Sequence, residues 1–143
     1  MRRLAAGFCL WAGAAQAWEF SATPICTLLH DDDAFTLRVT YDATLPEYRL
    51  VLSLRDAPWP GGQTFAITFD GDRPIAIATD RHELSESNTT VSVTDRGFGN
   101  VLNGMEFNRT AIATLGDRQI AIPLDGAAEP VRQFRACPAP GLV

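Results

Sequence analysis

Two cysteines at opposite ends of the chain, Cys26 and Cys137, constrain this sequence more than any other feature. A third, Cys9, sits inside a leader-like N-terminus. Arg2 and Arg3 form a charged start, Leu4 to Ala14 is an apolar run too short to span a bilayer, and Ala15-Gln16-Ala17 is an A-x-A cleavage site. The pattern predicts a signal peptide over residues 1–17 and a secreted chain over 18–143. Export to an oxidising compartment then leaves an even pair of cysteines, too far apart for a C-x-x-C redox motif, and parity predicts a Cys26–Cys137 disulfide. Such a bond ties the first strand to the last helix and encloses almost the whole domain. The chain inside that ring must therefore bring its two ends together.

The later cysteine closes a short amphipathic segment, Asp125 to Cys137. Val131, Phe134 and Cys137 recur at three-residue spacing, one face of a helix. Asp125 is the expected N-cap, Pro130 is tolerable in the first turn, and Pro138 and Pro140 end the helix.

Between the cysteines the pattern is that of strands. Pro24 to His30 reads as one. Phe35, Leu37, Val39 and Tyr41 alternate with polar residues, and Tyr48, Leu50, Leu52 and Leu54 alternate again, predicting a hairpin. Arg55 to Gly62 holds two prolines and two glycines and cannot join a ladder. Phe65, Ile67 and Phe69 mark a further strand, Asp70-Gly71-Asp72 a turn, and Ile75 and Ile77 a strand paired back. Val91 and Val93 mark another. Phe98, Val101, Leu102 and Met105 follow helical spacing. Thr110 to Leu115 and Gln119 to Leu124 read as a last hairpin about Gly116-Asp117. The fold class predicted is mainly β: an antiparallel β-sandwich or curled sheet of about eight short strands, with one short inserted helix and a C-terminal helix. The strands are too closely spaced for parallel crossover units. The length suits one domain with a real core.

Charge narrows the function classes. The chain has 17 acidic and 12 basic residues, a formal net charge of −5. Every basic residue is Arg, a bias of coding composition. With no basic cluster, nucleic acid and anionic membrane are not expected partners, and no later segment inserts into a membrane once the leader is cleaved. Without Lys there is no P-loop, and G-x-G-x-x-G is absent too. No cofactor is expected. Neither His30-Asp31-Asp32-Asp33 nor Asp70-Gly71-Asp72 has the ligand spacing of a calcium loop, and two histidines offer little for zinc, so no metal is expected.

Four residues stand out as site candidates. Asp80 and His82, in Asp80-Arg81-His82-Glu83, could form an acid–base pair at a strand end, the basis of a small periplasmic hydrolase. The bland reading is a solvated strand end. No serine lies in a G-x-S-x-G context. Trp59, held between Pro58 and Pro60, is stiff enough to bind with little entropy loss. It is expected to be at least partly exposed, the alternative being a lid over a sandwich edge. Phe98, flanked by Gly97 and Gly99, is the second binding candidate, or the core of a tight strand-to-helix turn. Thr79-Asp80-Arg81 and Thr94-Asp95-Arg96 echo one another fifteen residues apart, each after an apolar strand; two tripeptides are no structural repeat, and the echo reads as chance or as paired strand ends.

The Trp18-Glu19-Phe20 start, Pro24-Ile25-Cys26-Thr27-Leu28, the run Thr94 to Asn103 and the end Leu124 to Cys137 together resemble a family of small secreted proteins of alphaproteobacteria. That family supplies no activity. A more distant likeness is to the invasion-associated locus B domain, whose central cysteines have no counterpart here. The reading from these pieces is a periplasmic or secreted, non-enzymatic module that binds a protein or envelope component, with the hydrolase as alternative.

Overall fold

The computed structural model describes residues 18–137; the leader-like segment, including Cys9, and Pro138 to Val143 lie outside the described residues. Ten strands and two helices follow in chain order: β1 Trp18–Ser21, β2 Cys26–Asp31, β3 Phe35–Asp42, β4 Glu47–Leu54, β5 Phe65–Gly71, β6 Ile75–Thr79, β7 Glu83–Leu84, β8 Thr90–Asp95, α1 Gly99–Phe107, β9 Asn108–Leu115, β10 Arg118–Pro123 and α2 Ala128–Ala136. They form two antiparallel sheets, one ordered β1-β2-β3-β4-β8-β7 and the other β10-β9-β5-β6. The mainly β class and the two helices are as the sequence indicates. Two strands are additional. β1 pairs with β2 from Trp18 to Ser21, and β7 is a two-residue pairing with β8.

The alternation in the sequence becomes rows across the sheets. In the larger sheet, strand register aligns Trp18, His30, Leu37, Leu52 and Val91, all buried on the inner face. Two residues along, Phe20, Leu28, Val39, Leu50 and Val93 form the next row. The smaller sheet answers with Ile122, Ala111, Phe69 and Ile75. Because side chains alternate between faces, every second residue of each strand is committed to this core. His30 sits in it as a nearly inaccessible ring stacked on Trp18 at 4.6 Å between centroids.

The helices fill the ends of the sandwich. α1 lies against the smaller sheet and is buried at Leu102, Gly104 and Met105. At Gly104 a Cβ would stand 2.3 Å from Cδ2 of Phe69. Gly104→Ala therefore sets two effects against each other. Alanine favours the helix by about 1 kcal/mol, while forcing a methyl into a packed ring costs about 1–3 kcal/mol or more. With Phe69 itself buried, the clash wins. Urea unfolding of Gly104→Ala is expected to show a net loss of about 1–2 kcal/mol, partly recovered when Phe69→Leu is added.

α2 begins two residues later than an N-cap at Asp125 implies. Gly126 adopts φ +78°, Ala127 occupies the N-cap position, and no side chain caps the helix. Asp125 belongs to the turn before it. The turn-forming Asp-Gly pair outcompetes the cap that Asp would make, because glycine takes a positive φ without strain. Val131 and Phe134 are wholly buried, and Pro130 lies in the first turn as expected. Cys137 is bonded to Cys26, with the Cα atoms 6.0 Å apart. The last helix is thus fastened to the start of β2.

Candidate functional site

Trp59 is not exposed. It is 2% accessible and packs edge-on against Phe65. Its backbone N–H donates to the carbonyl of Asn88, and its indole N–H donates to the carbonyl of Leu52 at 3.3 Å. The flanking prolines hold the backbone so that the ring enters the core. The apolar area removed from water by a whole indole is too large to leave outside when one carbonyl can satisfy its single donor. Further along the loop, a Cβ on Gly62 would stand 2.8 Å from the backbone N of Gly116, so the loop lies directly on the β9–β10 turn. Trp59 is a structural plug that closes one end of the sandwich.

Phe98 is also buried, at 4% accessible, and its ring stacks on Tyr48 with centroids 5.3 Å apart. It is therefore a wall and not a projecting contact. Burial is the main cause raising the Tyr48 phenol above its ordinary pKa, reinforced by the neighbouring Tyr41 and opposed by Arg135. The ring stack beneath Phe98 is accordingly uncharged at neutral pH.

Asp80 and His82 are not assembled as an acid–base pair. Asp80 is exposed, and no hydrogen bond or ion pair links it to His82 among the described residues. His82 Nε2 lies 3.0 Å from the carbonyl oxygen of Gly62. A carbonyl only accepts, so Nε2 carries the proton. In the neutral ring the lone pair is then on Nδ1, which is buried with no hydrogen-bond partner among the described residues. A general base needs that lone pair facing a nucleophile or a water. Ser85, the serine nearest in sequence, accepts the N–H of Thr90 through Oγ at 3.1 Å and so braces its own turn. The His82 ring pins the Trp59 loop to the crossover between the sheets.

Metal ligation has no better support: no group of three or more His, Cys, Asp or Glu among the described residues could hold an ion. None of the described helices is long and apolar enough to cross a membrane.

The two echoed tripeptides do meet. The guanidinium of Arg81 lies 3.6 Å from the carboxylate of Asp95. Their meeting marks the rim of a cavity of about 420 Å³ between the sheets. Its walls are Ile77 and Thr79 of β6, Val93 of β8, and Phe98 and Val101 at the start of α1. Inward it narrows to an apolar slot floored by Leu50, Phe65 and Ile67.

The cavity exists because the sandwich is open on this side. Among the described residues β6 pairs only with β5. β8 pairs with β4 throughout, but on its other side only Val91 and Ser92 are paired, with β7. The chain leaves one sheet after Thr79 and joins the other at Glu83, so Asp80 to His82 close the narrow end of the opening. Val93 to Asp95 and β6 are left as two unpaired edges, one in each sheet.

No protein-family model, curated protein or solved structure matches the chain. The groove between β6 and β8 is thus defined by geometry alone. Sequence reasoning reached one of its walls, Phe98, while the Arg81–Asp95 ion pair at its rim joins two tripeptides whose likeness chance explained as well as pairing. It missed the groove itself, because no local pattern shows that β6 and β8 end as neighbours.

Proposed function

We propose that the protein is a periplasmic or secreted, non-enzymatic binding module, and that the groove between β6 and β8 is the surface through which it holds a protein or envelope component. The observation that carries this is a cavity of mixed lining, apolar at its floor and polar at its rim of Arg81, Asp95 and Asn100, left open between two unpaired strand edges. Apolar concavities with a few polar groups at the rim are the usual form of a binding site. The leader-like N-terminus, the likeness to small secreted alphaproteobacterial proteins and the disulfide, which persists in oxidising compartments, support the location. The hydrolase reading finds no comparable support, since Asp80 and His82 face different tasks.

The test is a pull-down from envelope extract with the oxidised protein, comparing wild type with Ala78→Arg. Ala78 is exposed on β6 and borders the groove, so the substitution obstructs the mouth without opening the core. Wild type is expected to enrich a component that Ala78→Arg recovers at least tenfold less, at an unchanged melting temperature. Equal recovery by both proteins would remove the groove from the binding reading.

A further inference from the structure

Ring closure to a succinimide needs a carboxyl or amide side chain on one residue and an unhindered main-chain nitrogen on the next. Glycine offers that nitrogen best, because no Cβ blocks the approach. The chain contains three such pairs: Asp70-Gly71, Asn103-Gly104 and Asp125-Gly126. The structure assigns isoaspartate formation in the folded protein to one of them, Asp125-Gly126, in the turn ahead of α2. The assignment is independent of the groove.

In an unfolded chain Asn103-Gly104 is the most reactive pair, since a neutral amide is a better electrophile than a carboxylate. Folding withdraws it. Both residues lie inside α1, where the Gly104 N–H belongs to the helical ladder. Oδ1 of Asn103 accepts the Arg135 guanidinium at 2.5 Å, which holds the amide against α2. Gly104 itself is buried against the Phe69 ring. Asp70-Gly71 is withdrawn by pairing. Asp70 stands opposite Thr110 and Gly71 opposite Asn108 where β5 meets β9. A Cβ on Gly71 would lie 2.7 Å from the backbone N of Arg109. Main chain packed this closely cannot turn its nitrogen onto the carboxyl without giving up ladder bonds.

Asp125-Gly126 meets neither obstacle. Both residues are exposed and lie between β10 and α2, in no ladder. Among the described residues neither the Asp125 carboxyl nor the Gly126 N–H has a hydrogen-bond partner. Nothing lies within 4 Å of where a Gly126 Cβ would stand. The turn is held from outside the reacting pair, by the N–H of Ala127 donating to the carbonyl of Leu124 at 3.0 Å. The Gly126 nitrogen attacks Cγ of Asp125, a C–O bond there breaks, and one water leaves with the nitrogen's proton. Water then opens the imide. Breaking the nitrogen's new bond restores aspartate. Breaking its original bond to the main-chain carbonyl carbon leaves isoaspartate, with the backbone routed through the side chain. No oxidant or cofactor enters. The added methylene falls between Leu124 and Ala127, both buried, and lengthens the link that delivers α2 to the sheets.

The experiment ages the oxidised protein in warm neutral buffer, digests it, and scores the three peptides by chromatography and by labelling with an isoaspartate-directed O-methyltransferase. Isoaspartate is expected at Asp125 at least about tenfold faster than at Asp70 or Asn103, since the two withdrawn pairs react only through local opening. The same protein, reduced and held in urea, should reverse the order, with Asn103 losing ammonia first. Asp125→Glu has a side chain too long to close the same ring; it should fold as wild type and stay unmodified at that position. In the aged native protein, hydrogen exchange at Ala127 should quicken in step with the modified fraction while β9 and β10 stay protected. Isoaspartate appearing first at Asn103 or equally at Asp70 in the folded protein, none at Asp125 while the unfolded chain reacts, or one order in both buffer and urea would each overturn the assignment.

Discussion

Cys137→Ser is expected to lower the melting temperature by roughly 10–20 °C and to make α2 sensitive to protease, with the sheets still formed. The bond joins residues 111 apart in sequence. Cross-linking a loop of that length removes enough chain entropy from the unfolded state to be worth about 4–5 kcal/mol, with native strain and residual denatured structure reducing the figure. A domain whose whole stability is about 5–15 kcal/mol feels such a loss strongly. The helix does not depend on the bond alone, since Val131 and Phe134 have no accessible surface. The ion pair of Arg135 with Glu106 at 3.3 Å and the contacts with α1 remain as well. Protease should therefore cut first near the end of α2, and the variant should unfold in one transition at lower denaturant. A melting temperature matching wild type would show that the bond contributes no net stability.

Trp59→Ala is expected to cost about 3–5 kcal/mol, the range for emptying a buried aromatic site. The carbonyl of Leu52 also loses the indole donor, and the loop loses what holds it over the β9–β10 turn. Trp59→Phe is the control. It keeps most of the packing and removes the N–H, so the loss should fall to about 1–2 kcal/mol, near the cost of an unmet buried acceptor. Denaturant midpoints measure both. Capture of a partner, per molecule of folded protein, should be unchanged in Trp59→Phe, because the residue faces the core and not the groove. A selective loss of capture at unchanged stability would return Trp59 to the binding surface.

How legible was this molecule in its sequence? Strands with several alternating residues were plain, since burial of one face imprints period two on the chain: β3, β4 and β5 fall where Phe35 to Tyr41, Tyr48 to Leu54 and Phe65 to Phe69 placed them. β1 and β7 were not, because four residues and two residues are too few to carry a period. Asp125 was misplaced because capping and turn formation use the same residue types, and the glycine after it decided for the turn. The disulfide was legible from parity and compartment. Stiffness between prolines made Trp59 conspicuous but carried no information about which way the ring would point. The groove depends on strand order, and strand order is set by non-local pairing: β4 pairs with β8 across the whole β5–β7 excursion, and β5 with β9 across β6, β7, β8 and α1.

That interleaving has a consequence for how the chain reaches its folded state. The path runs through the larger sheet, then the smaller, then the larger and the smaller again. Neither sheet is made from one continuous stretch, so neither half of the chain holds a complete layer that could form ahead of the other. The central pairings wait for segments some forty residues downstream, as Leu52 waits for Val91 and Phe69 for Ala111. Contacts of that separation require entropy to be lost before they return any stability, which slows the search. Were the chain exported unfolded, as the proposed location implies, the delay would be useful: the strands that lock it could not find one another until partners some forty residues downstream had emerged.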